Sequence, residues 1–146
     1  MKREIAEYQK IATIKELAEY CEGADFKLIL PGIGDLLIDL DNPDLKSFNK
    51  EVFEMIPNCL GQVYASCCWR SKHGNWHISI KTEIDLTDTQ RSLLQLALGS
   101  DHKREILAMR QILQEKGVPS CLFQPNGSKI LPLRKTLARA EAGKEV

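Results

Sequence analysis

Two acids interrupt an apolar run in Leu36-Leu37-Ile38-Asp39-Leu40-Asp41. Successive side chains of an extended strand point to opposite faces. Asp39 and Asp41 therefore share one face, and Ile38 and Leu40 are buried on the other. The two carboxylates then lie about 7 Å apart along the strand, well placed to grip hard cations such as Mg²⁺ or Mn²⁺. They close the run just before Asn42-Pro43, where solvent reaches them. A solvated strand face running into an Asx-type turn accounts for the same residues.

A second group follows in Arg70-Ser71-Lys72-His73-Gly74-Asn75-Trp76-His77-Ile78-Ser79. A short loop of this composition offers backbone N–H groups and cationic side chains to phosphates. His77 is the first outward residue of the strand that follows. It could bind a phosphate oxygen or act as a proton donor or acceptor; a surface hairpin with an exposed imidazole is the plain alternative. His-x-Ser at 77–79 suggests two-histidine phosphoesterase chemistry, which needs a second such motif. His102 is followed by Lys103-Arg104, so that chemistry is excluded.

The third group is Gly99-Ser100-Asp101-His102-Lys103-Arg104-Glu105. Asp101 fits a helix N-cap, with Arg104 one turn on. A third carboxylate beside Asp39 and Asp41 would come from Asp101 or from Asp85, which follows Ile84 at a strand end. No serine sits in a Gly-flanked elbow, and neither a P-loop nor a G-x-G-x-x-G is present.

The frame holding these residues is that of one domain: 146 residues, 43% hydrophobic and 27% charged, an ordinary globular composition. Twenty basic and twenty acidic side chains cancel, so any nucleic-acid site must be local. None of the five cysteines falls in a C-x-x-C, which argues against a zinc module. Cys67 and Cys68 lie in a strand-like run, where burial of at least one as a small hydrophobe is expected. No apolar run approaches ~18 residues, and the start lacks a signal-peptide core. The expected location is a cytoplasm.

Periodicity predicts a helix over 2–22, with Ile5, Tyr8, Ile11, Ile14, Leu17, Ala18 and Cys21 on its apolar face and Gly23 as its stop. Apolar runs at 26–30 and 35–41, joined by Pro31-Gly32-Ile33-Gly34, read as a hairpin. A helix over 43–56 ends at Pro57. Strands at 61–70 and 76–84 follow, with Val63, Ala65, Cys67 and Trp69 on one face of the first. In the second, Trp76, Ile78 and Ile80 oppose His77, Ser79 and Lys81. Helices run from Thr87 or Asp88 to Leu98 and from Asp101 to Lys116. Ser120–Gln124 reads as a short edge strand, and the tail from 125 as a frayed amphipathic helix. This order gives a single α+β domain, its core at about 24–124, with a mostly antiparallel sheet.

The run LLIDLD, then Ser-Lys-His-Gly-Asn-Trp-His at a strand entrance, then Ile84-Asp85, resembles the archaeo-eukaryotic primase superfamily. That family includes the primase–polymerases of phages and plasmids. The resemblance covers roughly residues 35–105, and the stretch through Glu105 is also similar to small phage and prophage proteins. It implies an RRM-like sheet with flanking helices and two-metal nucleotidyl transfer on nucleotides and single-stranded nucleic acid during replication. Asp39, Asp41 and His77 would be catalytic. Mg²⁺ or Mn²⁺ would be held by Asp39, Asp41 and either Asp85 or Asp101, and His77 would meet the incoming phosphates. Arg70, Ser71, Lys72, His73, Ser79 and Arg104 would line the substrate path. A replication partner subunit, no membrane and a bacterial host cytoplasm complete the expectation.

Three other readings stand beside it. A primase-like module could bind nucleic acid or nucleotide without chemistry, with Trp69, Trp76 and Tyr64 stacking bases if exposed; the apolar faces place the two tryptophans in the core. A metal-dependent nuclease would use Asp39, Asp41 and Lys81. A phage interaction protein would dock through its first helix.

Overall fold

The computed structural model describes residues 12–146. In chain order the elements are α1 (Ile14–Ala24), β1 (Phe26–Ile29), β2 (Asp35–Leu40), a 3-10 turn (Leu45–Ser47) and α2 (Lys50–Cys59). The hairpin β3 (Val63–Arg70) and β4 (Trp76–Thr82) follows, then α3 (Asp88–Ala97), α4 (His102–Gln114), β5 (Leu122–Pro125), β6 (Leu131–Pro132) and α5 (Leu133–Glu141). The architecture is α+β, as expected. Among the described residues no helix is long and apolar enough to cross a membrane.

The main sheet runs β2-β4-β3-β6 with every neighbour antiparallel. Both β2 and β3 therefore run parallel to each other with β4 between them, and α2 crosses over to join them. This is a split βαβ arrangement. Its two faces differ in kind. Leu36, Ile38 and Leu40 of β2 and Trp76, Ile78 and Ile80 of β4 form one buried face. Phe53 and Ile56 of α2, Leu98, and Leu133 and Leu137 of α5 cover it. Each such side chain contributes about 1.5–3 kcal/mol by burial. On the opposite face Leu37, Trp69 and Leu122 form a smaller buried apolar cluster, with Ile29 and Cys67 against them. Beside that smaller cluster Asp39 stays partly exposed.

The outer edge of β2 meets side chains instead of a strand. Arg91 Nε donates to the Asp35 carbonyl at 2.8 Å, the Leu37 amide donates to Gln95 Oε1 at 2.9 Å, and Arg104 donates to the Leu37 carbonyl. The Asp39 amide donates to Ser100 Oγ at 3.2 Å, and the Asp101 amide donates to the Asp39 carbonyl at 2.7 Å. Behind these contacts, buried Glu105 accepts from Ser92 Oγ, Gln95 Nε2 and Arg104. A strand edge left bare invites pairing with another chain; here α3 and α4 satisfy it and hold β2 in register.

Several sequence expectations are corrected. Residues 2–11 of the first predicted helix lie outside the described residues. The described part begins at Ile14, because extended Thr13 and Glu16 form a capping box. It passes through Gly23 and stops at Asp25, which takes the left-handed conformation (φ 63°). The 26–30/35–41 hairpin does not form: β1 pairs with β5, and β2 with β4. The intervening loop is pinned elsewhere. The Thr82 amide and hydroxyl donate to the Gly34 carbonyl at 3.0 and 2.7 Å, and the Leu86 amide donates to Ile33. A Cβ on Gly34 would sit 2.3 Å from the Thr82 carbonyl oxygen, so only glycine fits there. The 43–56 helix divides into the 3-10 turn and α2, which Asn49 caps and which continues through Pro57. The tail is not frayed: α5 buries Leu133, Thr136 and Leu137.

Candidate functional site

Asp39 and His77 are direct cross-strand partners on β2 and β4, so their side chains rise from the same sheet face. His77 Nε2 lies 3.3 Å from Asp39 Oδ1, with the two side chains 11% and 30% exposed. Burial pushes the Asp39 carboxyl up, but the His77 hydrogen bond and the charges of His77 and Arg104 outweigh it. The carboxyl is held below its ordinary value of 3.8. On the far side His77 meets Trp69, its partner on β3, edge to face at 5.9 Å. Buried His77 Nδ1 and Trp69 Nε1 have no hydrogen-bond partner among the described residues.

Asp41 continues the same face beyond the end of β2. Asn75 Nδ2 donates to Asp41 Oδ1 at 3.0 Å. Asn75 is itself held by the 71–75 loop, where its amide donates to Ser71 Oγ at 3.1 Å and its carbonyl accepts from the Ser71 amide at 2.7 Å. Gly74, at φ 85°, supplies the left-handed residue that closes so short a turn. Lys72 and His73 are thereby set at an exposed tip.

These residues enclose one cleft of about 380 Å³, whose walls include Asp39, Asp41, Asp101, His77, Ser71, Lys72, His73 and Asn75. Asp101 stands at the start of α4 but makes no side-chain capping bond. Its backbone amide is committed to Asp39, and the residue lines the cleft. Tyr20, Phe26 and Phe123 also line the cleft and form its aromatic wall.

Four expected site residues lie elsewhere. Asp85 is exposed beyond the far end of β4, whereas His77 stands at the near end, so Asp101 is the acid that accompanies Asp39 and Asp41. Arg70 is paired with Trp76 on the other sheet face, its guanidinium carbon 3.9 Å from the ring centroid. It donates to the carbonyls of Pro43 and Gly74 at 3.0 and 2.8 Å, fastening the loop instead of lining the cleft. Ser79 shares the His77 face but lies deeper, buried between Leu37 and Cys67 on the flanking strands. Arg104 is engaged with Leu37, Ser100, Glu105 and Cys121 and touches only the hollow next to the cleft. Trp69 and Trp76 are both buried and offer no stacking surface.

The sequence reading passed over the aromatic wall, Asn75 and the Gln95–Ser100–Glu105 network. A trace of the network is legible. Arg91, Ser92 and Gln95 occupy the buried face of α3 while Leu93 and Leu96 point outward, an inversion of the usual amphipathic pattern.

Asp39, Asp41 and Asp101 carry hard oxygen donors of the kind a divalent cation takes. Among the described residues no three His, Cys, Asp or Glu side chains are gathered closely enough to hold a metal ion alone. Mg²⁺ commonly takes one or two carboxylates and completes its shell with water and substrate phosphates; Asp39, Asp41 and Asp101 offer that partial set. Comparison with known proteins finds no matching family model, no significantly similar curated protein and no significantly similar solved structure.

Proposed function

We propose that the cleft binds a nucleoside triphosphate with Mg²⁺ or Mn²⁺ and carries out primase-like nucleotidyl transfer along single-stranded nucleic acid. The observation that carries this reading is the meeting of Asp39, Asp41, Asp101 and His77 with the Ser71–His73 loop around one cleft. Carboxylates alone would repel a polyphosphate. Carboxylates facing a loop of cationic side chains suit a polyphosphate that arrives with its cation.

When bound, the cation supplies Lewis-acid stabilisation of phosphate charge. Asp39, Asp41 and Asp101 hold it through hard oxygen atoms. His77 keeps Asp39 ionised and oriented, and Ser100 and Gln95 fix the backbone beneath it. Lys72 and His73 offset charge on the outer phosphates. In the transfer a 3′-hydroxyl would give its proton to solvent as its oxygen bonds to the α-phosphorus, and the bond from the α-phosphorus to the bridging oxygen would break, so that pyrophosphate leaves.

The test is extension of a primed or unprimed single-stranded template with Mn²⁺ and nucleoside triphosphates. Product formation that Asp39→Asn and Asp41→Asn each abolish, without loss of fold, is the expected result. Template cleavage without extension would instead identify a nuclease. Salt-sensitive binding that is indifferent to Mg²⁺ would identify a non-catalytic binding module.

A further inference from the structure

A second hollow, of about 850 Å³, opens between α1, α4 and β5. It shares Tyr20, Asp39, His77, Asp101 and Phe123 with the first cleft, so the acids stand where the two meet. Their outer ends differ in chemistry. The first runs to Lys72, His73 and Asn75; the second is lined largely by apolar side chains such as Leu17, Leu107, Val118 and Leu122, with Lys103, Arg104 and Gln111 among them. A ligand carrying both a polyphosphate and a flat ring could use the polar first hollow and the largely apolar second one together.

The aromatic wall supplies the matching surface. Tyr20 from α1, Phe26 from β1 and Phe123 from β5 come together through the β1–β5 pairing. Ring centroids lie 5.5 Å apart for Tyr20–Phe123 and 6.0 Å for Phe26–Phe123. Tyr20 stacks on Phe26 at 6.2 Å and 23°. Tyr20 nevertheless remains 55% exposed, although it lines both hollows. A ring braced by neighbours yet open on one side is a preformed platform for a planar π-system.

We infer that Tyr20 and Phe123 form a base-stacking subsite, so that a nucleotide lies across the junction with its base on the aromatic wall and its phosphates toward Lys72 and His73. This rests on the nucleotide reading above and adds the subsite that holds the base. The platform offers stacking, which every base can satisfy. Purine and pyrimidine nucleotides should therefore both bind, the larger rings more tightly.

Calorimetric titration of the full chain with ATP, CTP and inorganic tripolyphosphate, each with Mn²⁺, tests the assignment. The variants are Tyr20→Ala, Tyr20→Phe and Lys72→Ala, with thermal unfolding as a check on folding; both positions are exposed. Tyr20→Ala should weaken ATP and CTP about tenfold and leave tripolyphosphate unchanged. Tyr20→Phe should bind like the parent, and Lys72→Ala should weaken all three ligands. If ATP binds no more tightly than tripolyphosphate and ignores Tyr20→Ala, the base subsite is wrong and the polyphosphate reading survives. If none of the three binds, the nucleotide reading itself fails.

Discussion

The backbone amide of Asp101 donates a 2.7 Å hydrogen bond to the backbone carbonyl of Asp39. Through that bond the start of α4 is locked to the edge of β2. Two acids distant in sequence are thereby brought to one cleft by main-chain geometry, without either carboxylate being spent on the attachment. The side-chain contacts from Arg91, Gln95, Ser100 and Arg104 extend the same attachment along β2.

The attachment should be costly to disturb. Gln95→Leu preserves volume but leaves the Leu37 amide without its acceptor and removes the Gln95 bonds to Glu105 and Ser120. Unmatched buried polar groups of this kind cost about 2–4 kcal/mol together. Urea denaturation should show that loss; a change within about 0.5 kcal/mol would mean that the network does not hold the edge.

Glycine positions give predictions of opposite sign. Gly34→Ala drives a Cβ against the Thr82 and Ile84 carbonyl oxygens, at 2.3 and 2.8 Å. It should destabilise by about 2 kcal/mol or more. Gly23 lies inside α1 with nothing within 4 Å of an added Cβ. Gly23→Ala should stabilise by about 0.5–1 kcal/mol. Thermal unfolding of the two variants should move the midpoint in opposite directions.

Acid stability should report the Asp39–His77 pairing. The Asp39 carboxyl is held below its ordinary 3.8, so the unfolded chain binds that proton more readily than the folded one. Its contribution is fully present above pH 3.8 and is lost as pH falls through the lower folded value. Denaturation measured across the acid range should show a shallower decline in Asp39→Asn than in the parent. Superimposable acid limbs would contradict the pairing.

Thiol reactivity should separate the cysteines. All five are unpaired, with Cys59 exposed and Cys68 buried. Burial is the main cause pushing the Cys68 thiol up to about 11, where little reactive thiolate exists near neutral pH. Alkylation of the folded protein should label Cys59 first and Cys68 only on unfolding. Peptide mapping by mass spectrometry reads the order, and early labelling of Cys68 would contradict the packing of α5 on β3.

What could be read from the chain follows its periodicity. Alternation placed Asp39 and Asp41 opposite Ile38 and Leu40, and His77 opposite Trp76 and Ile78, because successive side chains of a strand point to opposite faces. The β3–β4 hairpin was legible because a short glycine-containing loop joins two alternating runs. Face does not specify the end of a strand, however, and this left Asp85 and Asp101 as equal candidates. Nor does charge specify an acceptor: Arg70 and Arg104 look alike in sequence, yet both are committed to backbone carbonyls by tertiary packing. The β1–β5 pairing was hidden because the Pro31–Gly34 turn imitates a hairpin connection while its carbonyls bind residues at and beyond the end of β4.

Under the proposed function, Asp39, Asp41 and Asp101 share one cation site completed by a nucleotide. Mn²⁺ titration by calorimetry, with and without a nucleoside triphosphate, tests it directly in the parent, Asp39→Asn/Asp41→Asn, Asp101→Asn and Asp85→Asn. Mn²⁺ binding should be strengthened by the triphosphate, weakened at least about tenfold by the double variant and by Asp101→Asn, and unchanged by Asp85→Asn. Mn²⁺ binding that is undetectable, or that is indifferent to Asp39, Asp41 and Asp101, would contradict it.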